Sequence, residues 1–268
     1  MRRLAIRVQR DLAEVVLAEL IELAPGGVEE VDHGDEVEYA IYGALGELPS
    51  LPDLKAAVGG ALVSVSTSVV EDGWEDRWRE FHQPLVIENR LRVRPPWEPR
   101  GEEDYDISID PGRAFGTGAH PTTRLCLELL LDLEAKGSLI DLGCGSGVIA
   151  VLAAQLGFEP VTALDYDQLA VDASLTNATI NKVEVAVGRF DLREQQLPNC
   201  DLLVANILAP VLIELAGKLP DQRPRLVMLS GLLVTQLDGI AERWGGEGYS
   251  EIRRLTGDEW GALLLQLK

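Results

Sequence analysis

The stretch SLIDLGCGSGVIAVLAAQLG, residues 138–157, limits what this chain can become more than any other part of it. A short apolar strand runs directly into Gly143, Gly145 and Gly147, and an apolar helical pattern follows at once. Alternating glycines between a strand and a helix permit left-handed backbone torsions and let a ligand lie against the main chain, near the positive end of the helix. PVTALDYD, residues 160–167, supplies a second apolar strand that ends in Asp165, 22 residues beyond Gly143. A strand, glycine turn, helix, strand and terminal acid together describe a nucleotide-type crevice in an open α/β sheet.

The glycine spacing narrows the ligand. A dinucleotide fingerprint reads G-x-G-x-x-G, and its last position falls here on Val148, which disfavours a pyrophosphate-binding turn and an NAD-dependent oxidoreductase. No Gly-Lys-Ser/Thr follows, so this is not a P-loop. S-adenosyl-L-methionine suits the pattern: Gly143 and Gly145 permit close backbone approach to the aminoacyl part, and Asp165 offers an acceptor for the ribose hydroxyls. Asp167, preceding QLAVDASLTNA, reads as a helix N-cap, while Asp141 orients the turn or ligand or is structural.

Apolar strands recur at 138–142, 160–164, 184–188, 201–205, 225–230 and 261–267, with helical patterns between them and a helix over about 121–135. This alternation predicts an α/β fold with a Rossmann-like, doubly wound, mostly parallel sheet. The segment CDLLVANILAP places Asn206 at the carboxyl end of a central strand, facing the ligand crevice. An amide cannot pull a proton strongly, so its natural task is to orient an incoming amine.

Upstream, 3–9 alternates as a strand, 11–23 is helical, 27–32 and 36–42 form a hairpin across HGD, a short helix is expected near 51–58, and 61–70 is a strand. The order β-α-β-β-α-β predicts a small α+β ferredoxin-like domain over 1–70. Residues 71–106 read as a linker helix and loop. In it Trp74, Trp78 and Phe81 share one helix face and pack the connector against a neighbouring domain, and 94–106 is irregular. Residues 107–268 form the larger domain.

With 24 Lys and Arg against 44 Asp and Glu, the net charge is −20, so nucleic acid is disfavoured and a basic protein or a small molecule is the expected partner. Cys126, Cys144 and Cys200 are widely spaced, forming neither a disulfide framework nor a zinc ligand set; no metal is expected, and a reducing cytoplasm fits. No apolar run approaches the roughly 18–20 residues of a membrane span, and MRRLAIRVQRDLAEVV turns acidic too soon for a signal peptide.

The combination IDPGRAFGTGAHPTTRLCLELL, DLGCGSGVIA, ALDYD, VANILAPVL, LSGLL and EWGALLLQL resembles the bacterial ribosomal protein L-eleven methyltransferase family, PrmA, within the class I S-adenosylmethionine-dependent methyltransferases. The likeness covers most of 70–268, and FGTGAHPTT together with VANIL is its most specific part. The resemblance implies that Thr117, Thr123, Gly143, Asp165 and Asn206 contact the cofactor or line the acceptor site. It also implies an enzyme that methylates lysine side chains and an N-terminal amine of one ribosomal large-subunit protein, with the small N-terminal domain recognising that substrate.

Asn206-Ile207-Leu208-Ala209 lacks the Asn-Pro-Pro-Tyr platform of adenine and glutamine methyltransferases, which argues against a nucleobase acceptor. Gly116 and Gly118 would let FGTGAH fold over the cofactor, with Pro121 starting the next helix. His120 is a candidate base, though a lone loop histidine also serves to cap or pack. A methyltransferase for another protein or a small-molecule amine, and a non-catalytic binding protein on the same fold, are the alternatives.

Overall fold

The computed structural model describes residues 2–13, 16–17, 20, 28–43, 48, 62–69, 83–110, 120–134 and 136–268. The chain divides into two compact units, Met1–Phe81 and His82–Lys268.

The first unit holds strands β1 (Arg2–Gln9), β2 (Glu29–Asp32), β3 (Glu36–Gly43) and β4 (Leu62–Val69) in one antiparallel sheet of order β2-β3-β1-β4. That order is the ferredoxin-like one. Alternation puts Leu4, Ile6 and Val8 of β1 beside Val37, Tyr39 and Ile41 of β3 in the core, where the helical residues Ala13, Val16 and Leu20 join them. The Tyr39 hydroxyl donates to the Ala13 carbonyl at 2.9 Å, so the one polar atom of that buried ring is satisfied. On the other face Glu38 accepts from Arg3 and Arg7, each at 2.7 Å, and these bonds hold its carboxyl below the usual range. The expected helix near 51–58 and most of 11–23 lie outside the described residues, as do Trp74, Trp78 and Phe81.

In the second unit seven strands form one sheet: β8 (Leu139–Leu142), β9 (Val161–Asp165), β10 (Ala186–Arg189), β11 (Leu202–Asn206), β12 (Leu226–Leu233), β13 (Tyr249–Gly257) and β14 (Trp260–Leu267). Their order is β10-β9-β8-β11-β12-β14-β13; β10 through β12 are parallel, and the last two run antiparallel. Helices α1 (Pro121–Leu131), α2 (Val148–Gln155), α3 (Gln168–Asn181), α4 (Ala209–Ala216) and α5 (Leu237–Gly245) complete the unit. Strand alternation sends Leu202, Val204, Leu226 and Met228 into one buried cluster, and Leu203, Ala205, Val227 and Leu229 into another. The sheet is therefore covered on both faces, as parallel sheets require.

One sequence expectation needs correction. The segment read as linker helix and loop contains β5 (Leu85–Ile87) and β6 (Leu91–Arg94), which with β7 (Tyr105–Ser108) form a third sheet. Its Ile87, Leu91, Val93 and Ile107 enter the same core as α1 and α2, and three-residue apolar alternation was too short to read as a strand. Between β6 and β7 the chain is irregular, organised around buried Asp106, which accepts from Arg94 Nε at 2.9 Å and from the Gly101 N–H at 3.0 Å. YSEIRRLTG, absent from the apolar runs of the sequence, forms β13, whose charged, mostly exposed pattern is that of an edge strand.

Candidate active site

The carboxyl ends of β8, β9, β10, β11 and β12 open onto one cavity of about 740 Å3. Of the glycine turn, Gly143 lines it, while Gly145 and Gly147 do not. Gly143, Gly145 and Gly147 have φ of +76°, +52° and +78°, torsions that a side chain resists. The turn is tied back by the N–H groups of Gly143 and Cys144, which donate to the Leu164 carbonyl at 2.8 and 3.1 Å, and by that of Gly147, which donates to Cys144 at 2.8 Å. A Cβ on Gly143 would overlap the Cγ2 methyl of Ile207.

Asp165 closes β9 with both carboxylate oxygens engaged. Oδ2 accepts from the Gly145 N–H and Oδ1 from the Asp167 N–H, each at 3.0 Å, and the residue lines the cavity. Each oxygen keeps a lone pair for a ligand hydroxyl. Asp167 caps α3, accepting from the Leu169 N–H at 2.9 Å as the sequence predicts.

Asn206 ends β11 and lines the same cavity. Its Nδ2 donates to the Thr123 hydroxyl at 3.3 Å, so Oδ1 is the amide atom left for the cavity side. Thr123 itself is buried in the first turn of α1 and does not line the cavity; Thr122 does. Thr117, Gly116 and Gly118 lie outside the described residues.

His120 caps α1 rather than standing free over the site. Its Nδ1 accepts from the Thr122 N–H at 3.3 Å and lies 2.7 Å from the Thr122 hydroxyl, while Pro121 takes the first helical position. An imidazole accepting at Nδ1 carries its proton on Nε2 when neutral, so it presents a donor there and not a base. Its ring meets Trp260 edge-on, 5.0 Å between centroids.

Asp141 sits below the turn, fully buried, with neither oxygen in hydrogen-bonding geometry. Burial pushes its pKa up to about 7, opposed by the Ala150 N–H and reinforced by the negative charge of Asp165. It does not line the cavity.

Several lining residues escaped sequence reasoning: Tyr166, Phe190, Leu192, Leu208, Gly231 and Trp260. Most follow the carboxyl ends of strands, so the crevice rule applied to every parallel strand, rather than to two, could have found them. Trp260 had no such signal. It opens β14, and because β14 is antiparallel its start lies beside the end of β12, opposite Leu233. Gly231 (φ +79°) is required because a Cβ would lie 2.6 Å from the Ile207 carbonyl oxygen.

Comparison with known proteins gives the family to which this fold belongs. The family model described as ribosomal protein L11 methyltransferase (PrmA) matches residues 50–268. Among curated relatives, the ribosomal protein L11 methyltransferase of Geotalea uraniireducens is 36% identical over 222 residues, covering 76% of this chain and 70% of that protein. The protein of the same name from Bacillus cereus is 35% identical over 242 residues, covering 86% and 76%. The crystal structure of ribosomal protein L11 methylase from Lactobacillus delbrueckii subsp. bulgaricus superposes with a TM-score of 0.62 at 27% identity, covering 70% of this chain and all of that one. On these matches and this fold, the chain belongs to the ribosomal protein L11 methyltransferase family.

Proposed function

We propose that the protein is a cytoplasmic enzyme that transfers methyl groups from S-adenosyl-L-methionine to amines of ribosomal protein L11, lysine side chains and the N-terminal amine among them. The observation that supports this best is the joining of Gly143, Asp165 and Asn206 around one cavity at the carboxyl ends of parallel strands, with the Gly145 N–H bonded to Asp165 behind it. The residues present fit the cofactor: the backbone of Gly143 lines the cavity with no side chain between it and an aminoacyl group, Asp165 can accept from ribose hydroxyls, and Leu142, Phe190 and Leu192 supply apolar walls for a purine. When bound, S-adenosylmethionine supplies a methyl group on a sulfonium centre, open to in-line attack by a neutral amine.

The chain's own residues then have two tasks. A lysine is almost wholly protonated at neutral pH, and lowering its pKa by about two units in the site costs roughly 2.7 kcal/mol. The partly buried apolar side chains of Ile207 and Trp260 on the cavity wall disfavour the ammonium form. Asn206 Oδ1 can accept from the remaining N–H and aim the nitrogen, and such orientation is worth up to roughly 7–11 kcal/mol. The partner is expected to be basic, matching the net charge of −20.

Incubation with methyl-labelled S-adenosylmethionine and ribosomal proteins tests the reading. Label in L11, lost with Asn206→Ala, is expected. Label in another protein instead would overturn the substrate, and no label in any would overturn the reaction.

A further inference from the structure

Helix α3 turns three polar side chains inward, toward the glycine turn and the end of β7. Asn177, at 0% exposure, joins the two: Nδ2 donates to the Ser146 carbonyl at 2.9 Å, and Oδ1 accepts from the Asp110 N–H at 2.9 Å. One turn later, Asn181 accepts from the Ser108 N–H at 2.8 Å and donates to the Ser108 carbonyl at 2.7 Å. Buried Ser174 occupies the space a Cβ on Gly147 would need, so α3 lies against the turn at a distance only glycine allows.

We propose that Asn177 is a positioning residue for the cofactor, setting the glycine turn through the Ser146 carbonyl; this rests on the methyl-transfer reading of the site. The peptide between Ser146 and Gly147 is held from both ends, by Asn177 at its carbonyl and by Cys144 at its N–H. Glycines on either side of Ser146 leave that plane with little torsional resistance of its own. Without Asn177 the buried carbonyl loses this donor, and the plane is less restrained against rotation. The Gly145 N–H that meets Asp165 is one residue away, so the glycine turn and the acid bonded to it would shift together. Asn181 makes comparable bonds to β7 but none to the turn, which makes it the natural control.

The test compares calorimetric affinity for S-adenosylmethionine and the thermal midpoint in wild type, Asn177→Asp and Asn181→Ala. Asn177→Asp keeps the acceptor for Asp110 and removes the donor to Ser146; about tenfold weaker cofactor binding is expected, in protein that still unfolds cooperatively. Asn181→Ala is expected to lower the thermal midpoint while leaving cofactor affinity within about twofold. If Asn177→Asp does not fold, Asn177→Leu, close in size and uncharged, removes the donor to Ser146 together with the acceptor for Asp110. Wild-type affinity in the Asn177 variant would overturn the inference, as would equal loss in Asn181→Ala, because either result leaves only a structural role. Wild-type protein that does not bind S-adenosylmethionine would instead overturn the methyl-transfer reading itself, and the inference with it.

Discussion

The Nδ2 of Asn206 donates to the hydroxyl of buried Thr123 at 3.3 Å, linking the end of β11 to the first turn of α1. An amide on a cavity wall can otherwise present either its oxygen or its nitrogen, and only the oxygen can accept from an amine. Thr123 thus holds from behind the orientation that the proposed methyl transfer requires. Thr123→Val keeps the shape and removes the acceptor, so turnover is expected to fall about tenfold, with cofactor affinity by calorimetry unchanged. Thr123→Ser keeps the hydroxyl and should stay near wild type. Undiminished turnover in Thr123→Val would mean the amide needs no such guide.

Asp165 stands at the other end of the site, and its role predicts the opposite kinetic pattern. Its removal deletes an anionic acceptor and releases the N–H groups of Gly145 and Asp167. Asp165→Ala should weaken S-adenosylmethionine by at least about tenfold, on the scale of a lost charge-assisted hydrogen bond. Calorimetry returning the wild-type affinity would remove Asp165 from the ribose site.

Ile207 is packed between two glycines, and they should not respond equally to a methyl group. At Gly143 an added Cβ meets the end of the Ile207 side chain, which can rotate away; at Gly231 it meets Ile207 main-chain atoms, which cannot. Both also suffer the left-handed torsion, costing roughly 1–2 kcal/mol. Gly231→Ala should therefore destabilise more than Gly143→Ala in urea unfolding. Adding Ile207→Ala should recover part of the Gly143→Ala loss and little of the other, and equal recovery would contradict this packing.

The sequence made the parallel core legible because buried strands declare themselves as short apolar runs, and β8, β9 and β11 lie within a residue or so of where those runs fall. Gly143, Asp165 and Asn206 were readable for the same reason: each follows or ends such a run. Residues brought in by antiparallel pairing were not. Trp260 reaches the cavity through the register of β14 on β12, and nothing local in EWGALLLQL encodes which strand it pairs with. Thr123 reads in the sequence as a hydroxyl for the cofactor, and His120 as either a candidate base or a cap. Their hydroxyl and ring nitrogen turn instead to Asn206 and to the start of α1, partners 83 and two residues away.

Asp141 gives the site a pH signature in stability. Its pKa rises on folding from an ordinary 3.8 to about 7, chiefly through burial. Between those values the folded protein holds a proton that the unfolded chain has released, so rising pH removes about 1.4 kcal/mol of stability per unit from this group. The contribution is fully present below about pH 4 and gone above about pH 7, and a few kcal/mol is the ceiling for the whole swing. Asp141→Asn cannot release that proton. Urea unfolding at pH 5, 6, 7 and 8 should show the variant gaining on wild type as pH rises to 7, then holding a constant lead. A difference that does not change with pH would mean that Asp141 ionises in the folded protein as it does in the open chain.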